Sequence, residues 1–128
     1  MSASNYLEDA LLNATLANVA YTSPANVYLA LYSTAPTDSS SGTELTGNGY
    51  SRQLTTFTVN TGNGIANSSA NVSFTASGNN WPTVLGWAIV NANTSGNILY
   101  FSTLTPSQTV LAGNTLTINT GNIRISMD

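Results

Sequence analysis

The chain has 128 residues, of which only two are basic and five are acidic, and it contains neither histidine nor cysteine. Charged residues make up 5% of the sequence, against about 25% in an average soluble protein, so hydroxyl and amide side chains must form much of the surface. Without clustered basic residues, cysteine or histidine, the chain lacks the usual groups for neutralising nucleic-acid phosphates, forming disulfides or holding zinc.

The first predicted element is a helix within the segment 1–22. Asn5 as its N-cap and Glu8 three residues later form a capping box, and the leucines that follow recur at helical spacing. The sequence Thr22-Ser23-Pro24 should end this helix. Because the segment lacks a basic stretch followed by a continuous apolar run, we expect no signal peptide, no membrane partner and assembly in a cytoplasm.

From Asn26 onward the pattern changes to the period of two that is typical of β-strands. Aliphatic side chains alternate with tyrosine and alanine over Val27–Tyr32, which predicts a strand covered on both faces. A long polar loop should follow over Ser33–Asn48. The further predicted strands, separated by Gly- and Asn-rich turns, are Tyr50–Val59, Asn71–Thr75, Val84–Val90, Ile98–Leu104, Thr115–Asn119 and Ile123–Met127.

About seven short strands at this spacing predict a mainly β fold, an antiparallel sandwich or barrel, with one N-terminal helix. The sandwich should cover residues 26–128. The length fits a single domain over residues 1–128, which is large enough to bury a core without disulfides or metals.

The chain offers few groups for catalysis or metal binding. Its carboxylates are Glu8, Asp9, Asp38, Glu44 and Asp128. A two-carboxylate hydrolase would have to use Asp38 and Glu44 in one loop with nothing to set their separation, and a serine nucleophile would have no histidine partner. The same loop departs from the EF-hand calcium pattern. We therefore expect no enzyme, no metal site and no cofactor.

Trp81 and Trp87 are aromatic residues that could contact a sugar. Trp87 falls within an alternating run and is expected in the core or an interface, whereas Trp81, beside Pro82 at a strand start, is the better surface candidate. The charge-poor surface favours another function, because hydroxyl and amide groups lose water at lower cost than charges when subunits associate. We therefore expect an assembly protein.

Several segments, in their order along the chain, resemble a known family. These segments are NYLEDALLNATL, YTSPANVYLALYSTAPTD, GTELTGNGYSRQ, WPTVLGWAIV, GNILYFSTLT and VLAGNTLTINTGNIRISMD. Together they are similar to small virion proteins of tailed bacteriophages, the tail fibre proteins of the mycobacteriophage type. The resemblance implies a virion structural protein with a jelly-roll-like β-sandwich, and such proteins are also similar to the capsid decoration, or cement, proteins that sit as trimers on the outer shell.

Two locations in the virion follow from this resemblance. We interpret the chain as a decoration protein that bridges neighbouring major capsid subunits, because fibres usually need length, repeats or a triple-stranded shaft. The alternative is a tail fibre or tail-tip domain, whose exposed loops could bind host glycans. In either location we expect a homo-oligomer, with a homotrimer favoured, and no nucleic-acid partner.

The segment Gly42–Arg52 is similar to the family's turn into a strand. Gly47 and Gly49 allow the backbone geometry of a turn, and Tyr50 is expected to pack. Because Glu44 is the acidic residue nearest to Arg52 in sequence, we predict that the two pair, within a subunit or across an interface. Arg124, close to Asp128, is predicted to fix the C-terminus at an interface. The candidate structural and interface residues are therefore Glu44, Tyr50, Arg52, Trp81, Trp87 and Arg124.

Overall fold

The computed structural model describes residues 1–127 of the chain. Within these residues the elements are β1 (Ser2–Ala3), α1 (Asn5–Leu16), β2 (Val27–Thr34), β3 (Thr43–Glu44), β4 (Gln53–Thr55), β5 (Phe57–Asn60), β6 (Ile65–Ser68), β7 (Val72–Thr75), β8 (Val84–Val90), β9 (Ile98–Gln108), β10 (Thr115–Ile118) and β11 (Arg124–Ser126). All strand pairs are antiparallel. The predicted mainly β fold, an antiparallel sandwich with one N-terminal helix, is confirmed.

Helix α1 begins and ends at residues other than those predicted. Its N-cap is Ser4, not Asn5: the Ser4 hydroxyl accepts a hydrogen bond from a first-turn amide at 3.2 Å and donates one to the carbonyl of Ile98. The helix ends at Leu16, well before the predicted Thr-Ser-Pro stop, because Asn18 adopts a φ of 56° and turns the chain away. The helical part of segment 1–22 is therefore short and is tied at its start to β9.

The larger layer of the sandwich is a six-stranded sheet with the order β1-β9-β8-β2-β3, and β4 also pairs with β2. The central strands β2 and β8 pair from Tyr28 opposite Val90 to Tyr32 opposite Gly86. Position 86 has no room for a side chain, because a Cβ there would lie 2.6 Å from the Cβ of Ala35. The chain that follows β2 therefore packs closely over this part of the sheet.

Strand β2 is buried on both faces, as its alternation predicts. Leu29 and Leu31 belong to the main core, which lies between the two layers of the sandwich. Ala30 and Tyr32 belong to a second apolar cluster on the opposite face of the sheet. The loop 91–97 borders this second cluster, since Ser95 and Gly96 line one surface cleft together with Tyr32 and Val90.

The smaller layer consists of two separate sheets. Strands β7 and β10 form one, and β7 contributes the fully buried Phe74 to the main core. Strands β11, β6 and β5 form the other, in that order, and Ile125 of β11 faces the same core. The main core is thus closed by two short sheets that do not pair with each other.

Two predicted segments are wrong in detail. The predicted strand Tyr50–Val59 is divided between the layers, with β4 in the large sheet and β5 in a small one. The chain changes layer at Thr56, whose carbonyl accepts a hydrogen bond from the Ser69 amide at 2.8 Å. The predicted polar loop Ser33–Asn48 contains the end of β2 and all of β3, and it buries Leu45, which is 3% exposed. Strand β6 was not predicted because its sequence, IANS, does not alternate.

Candidate assembly interface

The segment between β3 and β4 forms an excursion from one edge of the large sheet. Both strands run antiparallel to β2, with Glu44 of β3 opposite Tyr32 and β4 opposite the first residues of β2. The residues between them turn back through positive φ angles of 69° at Gly47, 52° at Asn48 and 82° at Gly49. The predicted turn is confirmed, and it returns the chain to the edge that it left.

Tyr50 fills the gap in the sheet edge that this excursion leaves. Its hydroxyl accepts a hydrogen bond from the backbone amide of Leu31 at 3.0 Å, in the stretch of β2 between its partners β3 and β4. The same hydroxyl donates to Oε1 of Glu44 at 2.7 Å. A side chain therefore satisfies a backbone donor that a neighbouring strand would otherwise satisfy.

Arg52 and Glu44 form an ion pair within one subunit, so the predicted pairing is confirmed. Arg52 Nε donates to Glu44 Oε1 and Nη2 donates to Oε2, both at 2.8 Å. Arg52 Nη1 donates to the carbonyls of Ala92 at 2.9 Å and Ser95 at 2.7 Å. One guanidinium therefore fixes the end of β3 and pins the loop 91–97, which borders the second apolar cluster.

These side chains shift one another's pKa values. Burial by itself would raise the pKa of Glu44, but hydrogen bonds from Arg52 and Tyr50 outweigh it and hold the pKa of that carboxyl below its ordinary value. The hydrogen bond to Glu44 raises the pKa of Arg52. Burial raises the pKa of Tyr50, and burial together with the charge of Glu44 raises the pKa of Tyr32 to about 12. At neutral pH the network thus contains a carboxylate, a guanidinium and neutral hydroxyls.

The predicted surface position of Trp81 is wrong. Its side chain is 4% exposed, and its Nε1 donates a hydrogen bond to the carbonyl of Asn48 at 2.8 Å. The indole packs edge-on against Tyr50, with ring centroids 5.7 Å apart, while Tyr50 stacks on Phe74 at 6.0 Å. Trp81 therefore anchors the excursion from inside and is not available for stacking on a sugar.

The other two candidate residues lie away from this network. Trp87 of β8 is half-buried and packs against the main core beside a cavity of about 260 Å³ that Leu104 and Leu116 also line. Arg124 is exposed on β11, opposite Asn67. The predicted role of Arg124 next to Asp128 involves a residue outside those that the structure describes.

The loop that carries Asp38, the other carboxylate considered for catalysis, forms a tight turn. Thr37 and Ser40 bridge it, and the backbone carbonyl of Asp38 accepts a hydrogen bond from Asn5 Nδ2 at 3.2 Å. Over residues 1–127, no three potential metal-binding side chains lie together. In the same part of the chain, no helix is both long and apolar enough to cross a membrane.

The stretch Gln53–Asn60 contains two strand edges, that of β4 in the large sheet and that of β5 in a small sheet, which are separated by the crossing at Thr56 and together form the open edge. Within residues 1–127, β4 pairs only with β2 and β5 pairs only with β6, so one side of each strand has no strand partner. Leu54 is 55% exposed on this edge and Val59 is 68% exposed. Natural sheets usually protect such edges with charged residues or proline, and the sequence QLTTFTVN contains neither. The edge is therefore suited to pairing with another chain.

Sequence reasoning missed this edge, although a signal for it was present. The stretch has an ordinary strand composition, which predicts a strand but does not say whether a neighbour pairs with it. The informative feature is the absence of charge and proline over eight consecutive residues that include exposed Leu54 and Val59. Only the strand order shows that both β4 and β5 lie at edges.

Comparison with known families matches residues 2–126 to the family described as podophage GP4 fiber I protein gp80, and the chain belongs to this family. No curated protein matches the chain. Membership makes the protein a structural component of a bacteriophage virion and confirms the resemblance to phage fibre proteins.

Proposed function

We propose that this protein is a fibre-type structural subunit of the virion, which associates with copies of itself and with neighbouring virion proteins and acts without catalysis. The family match over residues 2–126, whose description names a podophage fibre, carries this proposal. The open edge along Gln53–Asn60 supports it, because strand pairing between chains supplies main-chain hydrogen bonds that a static assembly can use.

The proposed assembly is a homotrimer. In this trimer the open edge of each copy meets a different surface of the next copy, as a closed ring of three requires. Pairing of two identical edges about a two-fold axis would give a dimer instead. Association would remove Leu54 and Val59 from water, which contributes roughly 25 cal/mol per Å² of apolar surface buried. The scarcity of charge on the chain lowers the cost of removing water from the rest of the contact.

Capsid decoration is the second candidate function. It is favoured by shape, because residues 1–127 form a sandwich with one short helix and contain no shaft or repeated unit. In this role the oligomer would bridge subunits of the major capsid protein, so that internal DNA pressure would have to break additional contacts before the shell opened. Both candidates are passive and use the same open edge.

We further propose that nucleic acid takes no part. The support is electrostatic: the chain has two basic residues, and Arg52 already gives its guanidinium to Glu44 and to two backbone carbonyls. A single exposed arginine on β11 cannot neutralise a row of phosphates.

The location of the protein on intact virions tests this proposal. Immunogold labelling, followed by electron cryo-microscopy of the same particles, would show whether the chain lies on the tail or the head. Density for three copies in a tail appendage is the expected result. Label spread over the head would overturn the fibre assignment in favour of decoration, and absence of the protein from purified virions would overturn both.

A further inference from the structure

The cavity beside Trp87 lies between the two layers of the sandwich. It has a volume of about 260 Å³, and its walls include Leu29 and Leu31 of β2, which belong to the main core. Protein interiors rarely contain spaces much larger than a water molecule, and an apolar cavity of about 150 Å³ can already hold a benzene ring. The cavity is therefore large enough to take an aliphatic side chain from another molecule.

One wall of this cavity is the edge of strand β10. Within residues 1–127, β10 pairs only with β7, so its other side has no strand partner. Three consecutive residues of β10, Leu116–Ile118, line the cavity, although successive side chains of a strand point to opposite faces. The Thr117 side chain is exposed and its hydroxyl lies 3.1 Å from Ser73 Oγ, so Thr117 meets the cavity through its backbone. The apolar cavity and the open edge of β10 thus lie side by side.

We propose that the cavity and the edge of β10 form an acceptor site for strand β5 of a second copy of the chain, with Val59 of that strand entering the cavity. This inference rests on the proposed self-association. It names the second surface that a closed ring needs, because the open edge of one copy must meet an unlike surface on the next. An extended segment added to a sheet edge gains affinity from main-chain hydrogen bonds and specificity from pockets for alternate side chains. The acceptor site supplies both.

The side chains of β5 are arranged to fit this site. Phe57 is half-buried and packs against the main core of its own subunit, so its side of β5 is the inner face. Val59 lies two residues further along and shares this face, yet it is 68% exposed, so its own core does not cover it. When β5 lies beside β10 of the next copy, a small sheet from each copy joins into one layer. Val59 then faces the same side as the half-buried Leu116 and Ile118.

The chemistry of the two surfaces also matches. Of the residues that the structure describes around the cavity, none is charged, and the segment Gln53–Asn60 contains no charge either. Pairing would therefore bury no charge without a partner. On the outer face, the exposed Thr58 of β5 would join the exposed Thr115 and Thr117 of β10, and hydroxyls of neighbouring strands can form hydrogen bonds. Both halves of the contact belong to this chain, which is why a second copy is the occupant.

Two variants block the acceptor site and leave β5 intact. Leu104→Trp fills the cavity from β9, and Gln108→Trp fills it from the end of the same strand, where the side-chain hydrogen bond to the Pro106 carbonyl is lost. We expect each to be monomeric at concentrations where the parent forms the proposed trimer, as measured by light scattering coupled to size-exclusion chromatography. Leu85→Trp is the matched control, because it adds the same ring at an exposed position of β8 that does not line the cavity, and it should assemble like the parent.

A mixture of two defective variants tests the match directly. Val59→Lys keeps an intact acceptor site and Leu104→Trp keeps an intact β5, so together they retain one functional contact and should form a heterodimer with one copy of each. This dimer has no ring closure, so it should appear at a higher protein concentration than the parent trimer. The double variant Val59→Lys/Leu104→Trp has neither surface intact and should associate with neither single variant.

A parent-like trimer of either folded cavity-blocking variant would overturn the inference, and the proposed self-association would then use another surface. Where one of these two variants does not fold, circular dichroism shows it and the other variant decides. The inference is also overturned if the mixture contains no heterodimer up to about 1 mM protein, or if the parent is a two-fold dimer that pairs like edges. A parent that stays monomeric over the same range would overturn the proposed self-association as well.

Discussion

The guanidinium of Arg52 donates hydrogen bonds to both oxygens of the Glu44 carboxylate, each at 2.8 Å. Arg52 is 12% exposed and Glu44 is 24% exposed, so the pair is partly shielded from water. The remaining nitrogen of Arg52 holds two carbonyls of the loop 91–97. Arg52 therefore connects Glu44 of β3 to the loop 91–97, and its partner Ala92 lies 40 residues further along the chain than Arg52.

Replacement of Arg52 tests how much this contact contributes to the free energy of unfolding. Arg52→Ala removes the ion pair and both loop hydrogen bonds and leaves a half-buried carboxylate without its partner. We expect a loss of about 2–4 kcal/mol in the free energy of unfolding, because a charge without its partner in a shielded position is costly. Urea denaturation followed by tryptophan fluorescence would measure this loss.

Arg124→Ala is the matched control, since it removes an exposed arginine from β11. Its effect should stay within about 0.5 kcal/mol, as is usual for surface positions. Equal destabilisation by the two arginine variants would show that the Arg52 network does not contribute as described.

Acid should weaken the fold through Glu44. Because its pKa is lower in the folded state than in the unfolded state, its contribution is complete above the unfolded value, about 4.3, and is lost as the pH falls through the folded value. We therefore expect the unfolding free energy to decrease below about pH 4.5. Glu44→Gln should be less stable at neutral pH and should lose less stability on acidification. Parallel pH profiles for the two proteins would contradict this assignment.

Gly47 and Gly49 provide an internal comparison of backbone strain and steric contact. Both have positive φ, but a Cβ at Gly47 meets nothing within 4 Å, whereas one at Gly49 would lie 2.7 Å from Ser77 Oγ and 2.9 Å from the Thr75 carbonyl. Gly47→Ala should destabilise the protein by about 1 kcal/mol, the usual cost of left-handed geometry. Gly49→Ala should cost at least about twice as much, because the backbone of Thr75 must also move. Thermal unfolding that shows equal shifts for both would exclude the close approach at Gly49.

Truncation of Trp81 should be among the most damaging single changes. Trp81→Ala removes a buried ring that contacts Tyr50 and Phe74, and we expect a loss of about 3–5 kcal/mol. Trp81→Phe keeps most of the packing but loses the hydrogen bond to Asn48, which should cost about 1 kcal/mol for the bond itself. Leu85→Ala, at a side chain that is 45% exposed, serves as the control and should change stability little. Near-parental stability of Trp81→Ala would contradict the buried position.

Charge placed on the open edge should prevent association. Val59→Lys adds a cation to β5, where strand pairing with another chain would bury it, so we expect the variant to be monomeric at concentrations where the parent forms the proposed trimer. Leu111→Lys is the control, because Leu111 is also an exposed aliphatic side chain, at 48% against 68% for Val59, but lies outside this edge. Light scattering coupled to size-exclusion chromatography measures the mass. A trimeric Val59→Lys variant would exclude the edge as the interface.

The parts of the fold that could be predicted are those with regular side-chain patterns. Strand β8 was predicted with its observed bounds, and the alternation in β2 correctly predicted burial on both faces. The strand expected at Tyr50–Val59 was divided because the crossing at Thr56 depends on a contact with Ser69, on a different part of the chain. Local pattern carries no information about which layer a strand joins.

The candidate site likewise contains contacts that the sequence predicts and contacts that it does not. The pairing of Glu44 with Arg52 could be predicted from proximity in a sequence with very few charges. The contact of Arg52 with the loop 91–97 could not, because it joins a side chain to backbone carbonyls that any residue type provides. Trp81 beside a proline resembled a surface residue, yet its indole is covered by the excursion that precedes it.

The sequence by itself determined the class of fold, the scarcity of charge and the identity of the residues able to form the ion pair, since these depend on composition and on side-chain period. The tertiary structure decided which strands lie at edges, which tryptophan is buried and which backbone carbonyls Arg52 contacts. Those properties arise from contacts between segments that are distant in the chain. A local stretch of sequence does not specify the neighbours that cover it or leave it open.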